Sequence, residues 1–195
     1  LIIGPSETPY ENGFYLFDIN FPNDYPFTPP KVKFLTYEPG IRFNPNLYTN
    51  GKVCLSILGT WGKEDTWKPS MGIEQILLSI QSSVLTKNAL DNEPPYDLSI
   101  TDPVLSKNYE EIVRHSNFKY NVVKFFLFTP LTIPKPVRTK LRTFMKKYLL
   151  SNKQEYLDEI SSLTKNDGVV YHCKFFNNTV KSDYSSILTE FKLLI

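Results

Sequence analysis

Proline limits what the first third of this chain can become. Nine of its fifteen prolines fall within residues 1–70, and each one fixes φ and removes a backbone donor, so that stretch favours short extended pieces between turns. Residues 14–21, FYLFDINF, are aromatic and branched and lie between turn signals at Glu11-Asn12-Gly13 and Pro22-Asn23-Asp24, which predicts a strand. Leu1-Ile2-Ile3, cut by Gly4-Pro5, reads as the end of an earlier strand, and Val32-Lys33-Phe34-Leu35 follows Pro29-Pro30 as another. The three predict an antiparallel meander. Residues 40–60 read as irregular with short extended pieces.

After this the period changes. Ile73, Ile76, Leu77, Ile80, Val84 and Leu85 recur at helical spacing behind Ser70 as a cap. Strands followed by helices make the fold α+β. Residues 104–128 predict a second helix, and Val137, Leu141, Phe144, Met145, Tyr148 and Leu149 form one stripe of a third. Residues 153–163 and 182–194 predict two more, separated by a turn at Asn166-Asp167-Gly168. Pro130, Pro134 and Pro136 place a module boundary near 129–136, dividing the chain into residues 1–128 and a helical C-terminal extension, 129–195.

The 195 residues, 41% hydrophobic and 22% charged, suffice for one full domain and something smaller. No apolar run approaches the ~20 residues of a membrane helix. The chain opens at Leu1 without Met, a basic n-region or a cleavage site, so it reads as a soluble fragment of a longer protein. Cys54 and Cys173 make no disulfide framework, which favours a reducing compartment, cytoplasmic or nuclear. The net charge of +2 conceals −4 over residues 1–100 and +6 over residues 101–195. The basic stripe from Lys135 to Lys147 holds six Lys/Arg and no acid. Because it backs onto Leu141, Phe144, Met145 and Tyr148, a solvated helix face is its commoner meaning, ahead of nucleic-acid binding.

Few side chains are available for chemistry. His115 and His172 are the only histidines; neither is placed by sequence to serve as a base for Cys54, which argues against a cysteine hydrolase. The adjacent His172-Cys173 pair lacks zinc-site spacing, and no GxxxxGK[ST] or GxGxxG loop occurs. No metal or cofactor is expected.

What remains distinctive lies between Gly4 and Tyr96: Thr8-Pro9-Tyr10-Glu11-Asn12-Gly13, FPNDYPFTPPKVKF at 21–34, NPN at 44–46, NGKVCLSIL at 50–58, Trp67-Lys68-Pro69-Ser70 and ILLSIQSSVL at 76–85. In order and spacing these resemble the catalytic domain of ubiquitin-conjugating enzymes. Asn44 stands where most members have His, and GTWGKEDTW at 59–67 is a longer path to the tryptophan. Both departures resemble the branch of the Z-type (Use-type) enzymes and the giant hybrid enzymes with a terminal conjugating domain. Ser106-Lys107-Asn108-Tyr109, Arg114-His115 and Asp183-Tyr184-Ser185-Ser186 extend the Z-type resemblance.

The resemblance implies the family's α+β fold, here without its first helix, and an acyltransferase. Cys54 would accept ubiquitin or a ubiquitin-like protein as a thioester from an activating enzyme, for transfer to a lysine or a ligase cysteine. Asn46 matches the asparagine thought to stabilise the oxyanion, beside its alternative as a turn-holding residue. Asn44 bears on loop geometry more than on chemistry. Asp91-Asn92-Glu93 fall on the loop that assists the incoming lysine, with Asn92 nearest the usual position and simple turn chemistry an equal reading. Phe27, Pro69 and Ser70 match the ligase-gripping loops, although Phe27 also reads as core. The rival is an inactive binding module of the same fold, against which Cys54 and Asn46 are both present. Without the family's first helix, loading is expected to be slow and the tail to pack on the core.

Overall fold

The structure is a computed structural model that describes residues 1–60, 67–92, 102–129 and 132–195. The expected strand at 14–21 forms, split at Leu16. Its first part, β2 (Phe14–Tyr15), pairs antiparallel with β1 (Ile2–Ile3) through Ile2–Tyr15 and Ile3–Phe14. Its second part, β3 (Phe17–Asn20), pairs antiparallel with β4 (Lys31–Phe34), from Phe17–Phe34 to Asn20–Lys31. At the split the Leu16 N–H donates to Thr36 Oγ1 at 3.2 Å and its carbonyl accepts from Leu35 N–H at 2.7 Å, so the backbone stays satisfied where the ladder breaks. Asp18, Asn20, Lys31 and Lys33 face outward while Phe17, Ile19, Val32 and Phe34 turn inward, as a period of two on a one-sided sheet requires.

Helix α1 (Ile73–Ser79) continues in a wider turn through Ile80–Val84. Its cap is not the expected Ser70: the N-terminal position is Gly72, whose N–H donates to Gln75 Oε1 at 2.8 Å, and Ser70 is exposed. Ile76, Ile80 and Val84, four residues apart, are fully buried, whereas Ile73 at the start of the stripe is exposed. Helix α2 (Pro103–Ser116) begins at Asp102, whose carboxylate accepts from Leu105 N–H at 3.0 Å, with Pro103 in the first turn where no donor is needed. It runs on through a wider-turned segment, Asn117–Lys124, into α3 (Phe125–Leu127). Tyr109, Ile112 and Val113 of α2 join Ile76, Ile80, Phe34, Phe43 and Leu47 in the first core.

The extension contributes α4 (Lys135–Ser151), α5 (Lys153–Leu163) and α6 (Tyr184–Leu194). Between α5 and α6 stands a hairpin absent from the sequence reading, β5 (Val170–Cys173) against β6 (Asn178–Lys181). A second core joins the two parts of the chain: Phe14, Leu16, Phe118, Val122 and Phe126 pack with Met145, Leu149, Tyr156, Ile160, Ile187 and Phe191. The junction is also polar. Asn12 donates through Nδ2 to Glu155 at 2.7 Å, accepts at Oδ1 from Tyr148 Oη at 2.9 Å, and accepts at its main-chain carbonyl from Tyr156 Oη at 2.5 Å. Arg114 of α2 lies 3.7 Å from Glu159 of α5, whose carboxyl is pushed up to about 7 by burial and then by the nearby Glu11, against the pull of Arg114.

Only part of the α4 stripe is covered. Met145 and Leu149 are buried, but Val137 and Phe144 border a groove of about 370 Å³ with Leu1, Ile3 and Leu141. Lys135, Lys140, Arg142, Lys146 and Lys147 are exposed, and among the described residues no α4 cation enters an ion pair. Among those residues no helix is long and apolar enough to cross a membrane.

Candidate functional site

The site is built on a tight reversal of the chain between residues 44 and 54. Gly51 N–H donates to Tyr48 O at 2.9 Å and Tyr48 N–H to Lys52 O at 2.9 Å, closing the turn. Gly51 has φ of +86° and lies so close to Phe34 that a Cβ would sit 2.6 Å from its carbonyl oxygen. Only glycine meets both demands. The reversal pairs Leu47 with Val53 and brings Cys54 back against Asn46: Cys54 N–H donates to Asn46 O at 2.9 Å, and Asn46 Nδ2 donates to Cys54 O at 2.7 Å. Cys54 is 2% exposed, and Asn46 is buried with its Oδ1 lacking a partner among the described residues. Beyond the thiol, Thr60 Oγ1 accepts from Leu55 N–H at 2.8 Å, tying the chain after Cys54 to the turn that follows.

Asn44 is fully buried and organises the loop. Its Nδ2 donates to Val84 O at 2.8 Å, to Tyr10 Oη at 3.0 Å and, more weakly, to Ala89 O at 3.4 Å. Its Oδ1 accepts from Asn46 N–H at 2.9 Å and from Asn92 Nδ2 at 3.3 Å. One amide therefore joins the site loop, the end of the α1 helix and the short 3₁₀ turn Ala89–Asn92. Asn92 is half-buried and also donates to Ser83 O at 2.8 Å. In this arrangement its amide is engaged in holding its own loop onto Asn44. Glu93 and residues 61–66 of the long path to Trp67 lie outside the described residues.

Phe27 is 76% exposed, which removes its reading as a core residue. Pro69 and Ser70 are exposed as well, and Trp67 Nε1 donates to Pro26 O at 2.7 Å, fastening the Phe27 loop to the Trp67–Ser70 loop. The three side chains thus belong to two loops that this hydrogen bond helps to join.

The histidines have other work. His115 is buried in α2, where its Nε2 accepts from Asp183 N–H at 3.2 Å, and burial lowers its pKa to about 4, so it is neutral at physiological pH. His172 Nδ1 bonds Thr179 Oγ1 across the hairpin at 2.8 Å. Cys173 is buried in β5, and no disulfide joins it to Cys54. Sequence reasoning missed Arg42, whose Nε and Nη2 donate to Asn44 O at 3.1 Å and Pro45 O at 2.5 Å. No motif marks it; its only signal is its place two residues before the Asn-Pro-Asn turn.

The reversal thus gathers a buried thiol, an amide donor bonded to the main chain of the same cysteine, and a second asparagine that ties the loop together. Residues 1–117 match the family described as ubiquitin-conjugating enzyme. The chain belongs to the ubiquitin-conjugating enzyme family. It is 44% identical over 150 residues to the ubiquitin-conjugating enzyme E2 Z of Homo sapiens, covering 76% of this chain and 41% of that one. To the E2 Z of Danio rerio it is 50% identical over 123 residues, 63% of this chain and 37% of that one. To the dual E2 ubiquitin-conjugating enzyme/E3 ubiquitin-protein ligase BIRC6 of Homo sapiens it is 42% identical over 140 residues, 70% of this chain and 3% of that one. These matches support the Z-type resemblance, and the chain spans less than half the length of each of these relatives. Within the ubiquitin-conjugating family match lie Asn44, Asn46, Cys54 and Asn92.

Proposed function

We propose that the chain takes up ubiquitin, or a ubiquitin-like protein, as a thioester on Cys54 from an activating enzyme, and passes it to a substrate lysine or to a ligase cysteine. The observation that carries this reading is the 2.7 Å bond between Asn46 Nδ2 and the carbonyl of Cys54, which fixes an amide donor to the residue that bears the thiol. In loading, the Cys54 thiolate attacks the modifier's activated carbonyl carbon, the C–S bond forms and the previous thiol leaves as thiolate. In transfer, the lysine amine attacks that carbon, the carbonyl oxygen becomes an oxyanion, and collapse breaks the C–S bond and expels the Cys54 thiolate, the proton given up by the amine passing to that thiolate or to water. Asn46 supplies a neutral, preorganised donor to the oxyanion. Asn92 sits on the loop through which the lysine would approach and holds that loop to Asn44. The exposed Phe27, with Pro69 and Ser70 on the neighbouring loop, forms the ligase-facing edge, where an aromatic anchor is the usual device.

The test is incubation with activating enzyme, ATP and labelled ubiquitin, read on non-reducing and reducing gels. The parent chain gives a thiol-sensitive adduct, Cys54→Ala gives none, and Cys54→Ser gives an oxyester that survives reduction, because an alkoxide is a poorer leaving group than a thiolate. An adduct lost in Cys173→Ala but kept in Cys54→Ala would move the reaction to the other thiol. No adduct on the parent would leave an inactive binding module.

A further inference from the structure

The Asn44-Pro45-Asn46 turn is held from outside by a group the transfer step does not use. The Arg42 guanidinium lies on the Tyr48 ring, 3.4 Å from its centroid, with the Phe176 ring 5.2 Å away. From that position it donates to the carbonyls of Asn44 and Pro45, the two peptide groups leading into Asn46. Ring contacts and two directed bonds leave a planar guanidinium one orientation, which a lysine ammonium would not share. Arg42 is held in turn by the distant hairpin. Asn178, at the start of β6 and 1% exposed, accepts from Arg42 N–H at 3.3 Å through Oδ1 and donates to Arg42 O at 3.2 Å through Nδ2. Tyr109 Oη adds a third bond, to the same carbonyl, at 2.7 Å. The side chain of Asn178 thus mimics a strand partner for one residue, 136 positions away in sequence.

We infer that the β5–β6 hairpin of the extension is a positioning element for acyl transfer: Asn178 and Phe176 fix Arg42, and Arg42 fixes the peptide groups that aim Asn46 at Cys54. This rests on the proposed roles of Cys54 and Asn46. Asn178 and Arg42 are positioning residues, because neither bonds Cys54 or Asn46 through its side chain. A rigid aim matters here because a shift of about 1 Å in a donor costs as much as ~10²-fold in rate.

The experiment is single-turnover discharge of the loaded full chain to free lysine over a range of lysine concentrations, alongside loading and thermal melting. The chains compared are the parent, Asn178→Ala, Arg42→Lys and, as a control, the exposed hairpin variant Lys174→Ala. Asn178→Ala and Arg42→Lys are expected to lower the maximal discharge rate about tenfold with the half-saturating lysine concentration unchanged. Lys174→Ala is expected to match the parent. In an Asn46→Ala background, Asn178→Ala should cost less than about twofold, since the group it aims is gone. Arg42→Lys retains charge and stem, so it tests the inference even where the buried Asn178→Ala melts below assay temperature. Equal penalties in the two backgrounds, or a discharge rate unchanged in both variants, would overturn the positioning role while leaving Cys54 and Asn46 in place. A parent that takes no label would overturn both readings.

Discussion

Asn46 and Asn44 share a residue type and a loop, yet they differ in what their removal should do. Asn46→Ala removes one bond to Cys54 O and the donor proposed for the oxyanion. We expect it to load at a rate near the parent's and to discharge to free lysine roughly 10²–10³-fold more slowly, the range found for loss of one oxyanion donor; single-turnover discharge checks this, and equal rates would leave Asn46 a turn residue only. The Cys54 segment and the Asn44–Asn46 turn were legible because reaction chemistry restricts residue type there. The work of Asn44 was not, because its partners come from three separate places in the chain: Tyr10, Val84 and the Ala89–Asn92 turn. Sequence shows that an amide is present; only folding shows that it is fully spent.

At the scale of elements, the helices and the early strands announced themselves and the hairpin of the extension did not. The four-residue spacing of Ile76, Ile80 and Val84 is visible in any window, whereas the hairpin of Val170–Cys173 and Asn178–Lys181 has short strands whose burial alternates only because they lie over α2. The contact between α2 and α5 carries its own test. Glu159 has its folded pKa raised to about 7 from an ordinary value near 4.5, so the folded state binds the extra proton between those values. Its contribution is fully favourable below about pH 4.5 and is lost as pH rises through 7. His115, lowered to about 4, acts in the opposite sense, its contribution being lost as pH falls below 6.5 toward 4. Glu159→Gln should therefore be more stable than the parent at pH 8, by something on the order of 1–2 kcal/mol, with the gap closing toward pH 5. Urea melts at the two pH values would show this, and a gap that widened on acidification would contradict it.

For the whole molecule, the second core sets what can be removed. Phe14, Leu16, Phe118 and Val122 lie before the proline cluster, and Met145, Tyr156, Ile160 and Phe191 after it, yet they form one cluster. A chain ending at Phe128 would uncover that face, and each large side chain returned to water costs about 1.5–3 kcal/mol. We expect such a truncation to bind a hydrophobic dye and to aggregate at concentrations where the full chain elutes as a folded species; a monodisperse truncated chain with a parent-like melt would show that the extension is dispensable for folding. The α4 stripe has a different bearing. Its exposed cations are unpaired among the described residues, in a half of the sequence that carries +6 while the first hundred residues carry −4. Those cations give the exposed face of α4 a positive field, which draws an acidic surface before the two touch. Ions shorten the reach of such a field to about 8 Å at physiological strength. Salt would then set how often α4 finds an acidic surface, and the fit between them would set how long it stays.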